Sequence, residues 1–145
     1  MATNPPAKPG VDAFHRERSK CLDAFVGCEE AVVALLLASA TKAGAEPLGL
    51  KIEALKKAKP SPSYPATRKQ TINGLLGQFD DLLELRNDLV HSRLQIAAIG
   101  EDQKACFINA RQSSTGAQSA RLFSLESLRS VTRKASELAG KLKQA

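Results

Sequence analysis

The chain has 145 residues, of which 43% are hydrophobic and 25% charged, as in a single globular domain. Aromatic residues make up only 4% and tryptophan is absent, so we expect a core of Leu, Val, Ile and Ala in packed helices. A formal net charge of +6 favours phosphate-bearing partners, although many proteins carry such a charge without binding nucleic acid.

The cysteines and the N-terminal segment indicate a reducing compartment and no membrane. Cys21 and Cys28 are seven residues apart on a predicted helix, so their Cα atoms would be roughly 10 Å apart, too far for a disulfide. No CxxC pair accompanies them or Cys106, so we expect no metal and no other cofactor. The first ten residues lack a signal peptide's apolar core, and the apolar run from Ala31 is too short for a bilayer. These features predict a cytoplasmic protein.

The first half of the chain predicts a flexible start and two helices. Residues 1–10, with three prolines, form a disordered lead-in, and residues 11–145 form a single domain. A long helix covers about residues 11–41, with its apolar residues concentrated toward the C-terminal half. Residues 48–57 form a short amphipathic helix, which the three prolines of KPSPSYP end.

The second half predicts two more helices with a β-element between them. Thr67 is the expected N-cap of a helix that runs to about Leu94, with Gly74 and Gly77 at close helix contacts. The segments LQIAAI and ACFINA, joined by GEDQK, predict a β-hairpin, followed by the flexible QSSTGAQSA and the strand-like ARLF. Ser124 is the expected cap of the last helix. The fold class is therefore mainly α: an up-and-down bundle of four to five helices with a small β-hairpin before the last helix.

The third predicted helix carries an arginine within its apolar face. The apolar residues of this face recur at helical intervals: Ile72, Leu76, Phe79, Leu83 and Val90. Arg86 lies near the middle of the same face, and an unpaired buried guanidinium would cost many kcal/mol. It therefore needs an anionic ligand, a solvated groove or a carboxylate, and the candidate carboxylates are Glu84, Asp88, Glu29 and Glu30.

Two further polar residues can reach the same side of this helix. Asn87 and His91 are one helical turn apart, and the long side chain of Arg86 can bend toward them. Histidine can transfer protons near neutrality, and arginine can hold the non-bridging oxygens of a phosphate. Asn87 could orient the imidazole or bind phosphate or ribose, and Ser92 could add a hydrogen bond. Alternatively, His91 only ends the helix, where its charge suits the helix dipole.

The segment LLELRNDLVHSRL, with Arg86, Asn87 and His91, resembles the RNxxxH form of the RxxxxH motif of HEPN domains (higher eukaryote and prokaryote nucleotide-binding). The predicted helix order between about residues 11 and 143 is also similar to that family. The resemblance implies a helical bundle that dimerises with two motif-bearing helices facing each other. Many members are metal-independent ribonucleases of toxin–antitoxin, abortive-infection or CRISPR systems, and others lack cleavage. One branch has a regulatory tyrosine two positions after the histidine, where this chain has Arg93.

Three hypotheses about function follow. The first is a HEPN-type endoribonuclease with Arg86 and His91 as catalytic residues, Asn87 and Ser92 in support, and RNA, a second copy and a neutralising antitoxin as partners. The second is a non-catalytic RNA- or nucleotide-binding module, and the third is a helical adaptor. Tyr64 could stack on a base. The candidate RNA-binding residues are Lys56, Lys57, Arg68, Lys69 and Arg93.

Overall fold

The computed structural model describes residues 10–42, 44–99, 102–112 and 118–145, which form a mainly helical fold with one small antiparallel sheet. The elements in chain order are α1 (Val11–Ala38), α2 (Leu48–Lys57), α3 (Ala66–Val90), β1 (Ser92–Ile99), β2 (Asp102–Gln112), β3 (Gln118–Phe123) and α4 (Leu125–Gln144). The predicted mainly helical class is confirmed. None of the described helices combines the length and apolar character needed to cross a membrane.

Some predicted segments lie outside the described residues. They are the lead-in at residues 1–9, Gly100 and Glu101 of the predicted turn, and residues 113–117 of the predicted flexible connection. The bounds of α2 agree with the prediction, because a helix cannot continue through the prolines that follow residue 58.

Helix α1 is the central element and packs on α4 along its length. Cys28 donates its thiol to the carbonyl of Ala135 at 3.2 Å, and a Cβ at Gly27 would lie 3.5 Å from that of Ala139. Burial raises the pKa of both Cys21 and Cys28 to about 11, so these thiols stay protonated at neutral pH. Both cysteines are free, as predicted, and behave as small apolar residues of the core.

Helix α3 packs against α1, and the Phe25 and Phe79 rings stack with centroids 6.5 Å apart. The prediction of close helix contacts at Gly74 and Gly77 is wrong, because a Cβ at either position would meet no neighbouring atom within 4 Å. Thr67 is also not the N-cap. The helix begins at Ala66 after Pro65, whose backbone is extended and which provides no side-chain cap.

The start of α4 is as predicted. Ser124 accepts a hydrogen bond from the Ser127 amide at 3.0 Å, and Glu126 lies in the first turn. The apolar residues of its predicted buried face are fully or partly buried: Leu125, Leu128, Val131, Leu138 and Leu142.

The end of α3 differs from the prediction. The helix stops at Val90 instead of continuing to Leu94, because Ser92 and the residues after it form a strand against β2. The ARLF segment belongs to β3 and pairs with β2 on its other side, so the predicted hairpin is part of a three-stranded sheet. The buried face of the sheet includes Ala105 and Phe107, and the Phe107 and Phe123 rings meet edge to face.

Candidate active site

Arg86, Asn87 and His91 line one open cleft of about 610 Å³. Its other walls are Leu83 of α3, Glu29 of α1, and residues 46–50 and 53 at the start and middle of α2. The three motif residues therefore converge on one surface, as helical spacing predicts. Arg86 and Asn87 lie in the last two turns of α3, and His91 follows the helix as its C-cap residue.

Arg86 is partly buried and has two polar neighbours in the cleft. Its Nη1 donates to Asn87 Oδ1 at 2.9 Å, and its Nη2 lies 3.9 Å from Glu29 Oε2. Of the four candidate carboxylates, Glu29 is therefore the partner in this structure. Asn87 contacts the guanidinium, so the structure supports a role in orienting Arg86 more directly than one in orienting the imidazole.

The prediction that Arg86 lies within a continuous apolar face is wrong in one respect. Phe79 and the residues before it on that face are buried, but Val90, on the same face, is exposed. In the last turn Asp88 and Leu89 are buried instead, because the sheet covers that side of the helix. Arg86 therefore lies at the edge of the core, where a charged group can reach both a carboxylate and solvent.

His91 is the C-cap residue of α3, and its amide donates to the Asn87 carbonyl at 3.2 Å. Its side chain is half-buried and lines the cleft, so it both ends the helix and contributes to the site. Arg18 of α1 binds the carbonyls on either side of it: Nη2 donates to Leu89 at 2.6 Å and to Ser92 at 2.7 Å. The backbone around His91 is thereby held at two points.

Arg18 is not among the site residues predicted from the sequence, although a signal for it was present. Arg18 lies four residues from Phe14 and three from Cys21, both fully buried, so it is a cation within an apolar helical series. The same kind of interruption singled out Arg86. The partners of Arg18 are backbone carbonyls more than 70 residues away, which no local pattern identifies.

Asp88, within the motif, anchors the end of α3 to the sheet. Its side chain is 10% exposed and accepts hydrogen bonds from Asn109 Nδ2 at 2.7 Å and from Arg121 Nε at 2.6 Å. The predicted supporting role of Ser92 is not seen, because its buried hydroxyl donates to the Asp88 carbonyl and does not line the cleft. In β1 this residue pairs with Asn109, which places it on the covered side of the sheet.

The charges that line the cleft are mostly negative. Glu29, Glu46 and Glu53 lie around Arg86, and hydrogen bonds from the backbone amides of Glu46 and Gly44 lower the pKa of the Glu46 carboxyl. Two features offset this charge. Glu29 also pairs with Lys51 at 3.3 Å, and α2 begins at the cleft without a side-chain cap, which leaves the partial positive charge of its N-terminus there.

The basic residues predicted to bind RNA do not line this cleft. Lys56 pairs with Asp80 and Glu53, and Lys69 donates to the carbonyls of Lys56 and Ala58. The remaining candidates, Lys57 and Arg93, are exposed away from the cleft.

Arg68 and Tyr64 also contact other parts of the fold and do not line the cleft. Arg68 donates to the carbonyls of Ser63 at 2.8 Å and Ala145 at 3.0 Å, and its guanidinium lies over the Tyr64 ring. Tyr64 is fully buried, so the prediction that it stacks on a base is wrong. Local sequence could not show this, because the contact depends on how the proline-rich loop packs.

Comparisons of the chain with protein-family models, with curated proteins and with solved structures give no match.

Replacing Asp88 with Ala is expected to lower the free energy of unfolding by about 2 kcal/mol or more, because Arg121 loses its close carboxylate and Asn109 loses an acceptor. Glu84→Ala is the matched control: Glu84 also contacts Arg121, at 3.8 Å, but is 87% exposed and should change stability by less than about 0.5 kcal/mol. Urea denaturation measures both values. Equal effects of the two substitutions would contradict the anchoring role of Asp88.

Proposed function

We propose that this chain is a metal-independent endoribonuclease of the HEPN type, of a toxin or phage-defence system, that acts as a twofold dimer. The observation that carries the proposal is the convergence of Arg86, Asn87 and His91 on one open cleft. The order of the helices and the position of the motif on α3 also agree with what the resemblance implies. A neutralising antitoxin remains part of this proposal.

Arg86 can turn to a phosphate without leaving an unpaired carboxylate behind. Glu29 has two cationic neighbours, Arg86 at 3.9 Å and Lys51 at 3.3 Å, and the Lys51 contact is the shorter. When Arg86 moves to the substrate, Lys51 still neutralises Glu29. The N-terminus of α2, which borders the cleft, adds partial positive charge for the same phosphate.

The proposed reaction needs two proton-transfer groups, and a dimer provides them. One copy of His91 takes the proton of the ribose 2′-hydroxyl as its oxygen bonds to phosphorus. The second copy donates a proton to the 5′-oxygen as the bond from phosphorus to that oxygen breaks. Arg86 holds the non-bridging oxygens, where negative charge increases in the transition state. The products are a 2′,3′-cyclic phosphate and a 5′-hydroxyl.

Exposed apolar side chains around the cleft support the dimer. Leu50 of α2 lines the cleft and is 59% exposed, and Val90, next to His91 in the chain, and Val26, one helical turn before Glu29, are exposed as well. A second copy placed on this surface would cover these side chains and bring two motif helices together. The cleft of one protomer would then be half of the site.

A second candidate function is a helical module that does not cleave RNA. The ion pair between Arg86 and Glu29 favours it, because that contact satisfies the arginine within the chain itself. The carboxylates of Glu46 and Glu53 would also repel a phosphate from the cleft of a single protomer. In this case the polar motif would only determine how two copies align.

Purified protein is expected to cleave RNA in EDTA and to leave 2′,3′-cyclic phosphate ends. Replacing His91 with Ala should lower the rate by about a hundredfold or more, because a general acid–base group is lost. His15→Ala is the matched control, since His15 is the other histidine and is exposed at the start of α1. Cleavage that persists in His91→Ala, or that EDTA abolishes, would rule out the proposed mechanism.

Replacing Leu50 with Asp is expected to convert a dimer into a monomer and to abolish cleavage. The control is Leu122→Asp, because Leu122 is 52% exposed and lies on β3, away from the cleft. Sedimentation velocity and the cleavage assay report the two effects. A Leu50→Asp protein that stays dimeric and active would show that the catalytic dimer uses another surface.

Replacing Glu29 with Gln separates the two candidate functions. If the cleft binds RNA, removal of this competitor for Arg86 should raise RNA affinity several-fold, because the guanidinium is freed and a repelling charge is lost. Glu30→Gln, the same change at the neighbouring exposed position, should have little effect. Fluorescence anisotropy with labelled RNA measures both. Unchanged affinity together with lower stability of Glu29→Gln would favour the non-cleaving module.

A further inference from the structure

A second polar cavity, of about 260 Å³, lies between the first turns of α1 and α4. It is lined by Ala13, Arg16, Glu17 and Lys20 of α1 and by Arg129 of α4. None of these residues lines the cleft around Arg86. On α1, Arg18 and Glu29 point toward α3, whereas Glu17 points toward α4, so the two sites lie on different sides of the same helix.

Glu17 is the unusual member of this cavity. The residue is only 7% exposed, yet it forms no hydrogen bond or ion pair with any of the described residues. The carboxylate oxygens of Glu17 do not belong to the buried side-chain atoms that lack a partner, so they remain open to solvent in the cavity. Because Glu17 lines the cavity, a ligand there could donate a hydrogen bond to it.

The three cations that line the cavity also lack an ion-pair partner among the described residues. Arg16, Lys20 and Arg129 are exposed, and none of them forms an ion pair within the described part of the chain. Arg133, one turn after Arg129, is by contrast already paired with Glu126. Three positive charges against the single carboxylate of Glu17 give the cavity a local charge of +2.

We propose that this cavity binds the phosphomonoester of a pentose. A phosphomonoester carries a charge close to −2 at neutral pH, which matches the charge of the cavity. Arg16, Lys20 and Arg129 would bind the phosphate oxygens, and Glu17 would accept a hydrogen bond from a sugar hydroxyl. The volume of about 260 Å³ fits a ligand of this size better than a larger one.

Pentose phosphates occur both as free compounds and at the 5′ end of an RNA chain. Both sources present the same phosphate and hydroxyl groups to the cavity. Binding at this site does not depend on RNA cleavage, because the two sites share no residue. The His91→Ala protein should therefore bind the ligand as well as the unmodified protein does, whether or not the chain is a ribonuclease.

The first test is calorimetric titration of the whole protein with ribose 5-phosphate, inorganic phosphate and ribose. Ribose 5-phosphate should bind most tightly, and Arg129→Gln should weaken it about tenfold or more, since a charge-assisted hydrogen bond is lost. Lys134→Gln, which removes the same charge from an exposed position on α4 outside this cavity, should change the affinity by less than about twofold. Equal effects of the two variants would overturn the proposal.

The second test is Glu17→Gln, which keeps the shape of the side chain and removes its charge. Inorganic phosphate should bind this variant more tightly, whereas the preference for ribose 5-phosphate over inorganic phosphate should fall. An unchanged preference would contradict the role assigned to Glu17.

A 5′-phosphorylated dinucleotide distinguishes the two sources. Binding as tight as that of ribose 5-phosphate identifies the cavity as a site for RNA 5′ ends, and exclusion of the dinucleotide identifies a site for the free compound. Failure of all these phosphates to bind would overturn the proposal.

Discussion

The hydrogen bonds of the Asp88 carboxylate determine where the end of α3 lies, and the cleft depends on that position. Asn109 of β2 and Arg121 of β3 both donate to it, so a single side chain attaches the motif helix to two strands. Arg18 completes the attachment from α1 by binding the carbonyls of Leu89 and Ser92. His91 lies between these fixed points. The last turn of a helix tends to fray unless its carbonyls are bound, so these contacts keep the imidazole in the cleft.

Arg18, Arg86 and Glu17 each interrupt an apolar helical face, and each is accommodated differently. Arg18 binds backbone carbonyls, so its charge stabilises the fold. Arg86 lies at the edge of the core between Glu29 and solvent, where it can exchange its partner. Glu17 has no partner within the described residues and lines a cavity with three cations. The partners of each charge indicate whether it stabilises the fold or is available to a ligand.

The balance of charge in the cleft decides between the two candidate functions. Glu29 is the central residue of that balance, since it is near both Arg86 and Lys51. If Lys51 suffices to neutralise it, Arg86 is available to a phosphate. If Arg86 is needed there, it is not available to a phosphate, and the second candidate function is favoured. The exposed Leu50 beside the cleft also gives the surface an apolar component that a second copy would cover.

Several features that depend on neighbouring residues were predicted correctly from the amino-acid sequence. Proline positions defined α2, Ser124 defined the start of α4, and helical spacing placed Arg86, Asn87 and His91 on one surface, because each depends on residues close in the chain. Tertiary contacts instead set the end of α3, the pairing of Arg86 with Glu29, the burial of Ser92 and the contacts of Arg68 and Lys69 with backbone carbonyls. Those outcomes depend on partners distant in sequence: Arg121 is 33 residues from Asp88, and spacing along one helix carries no information about such a contact.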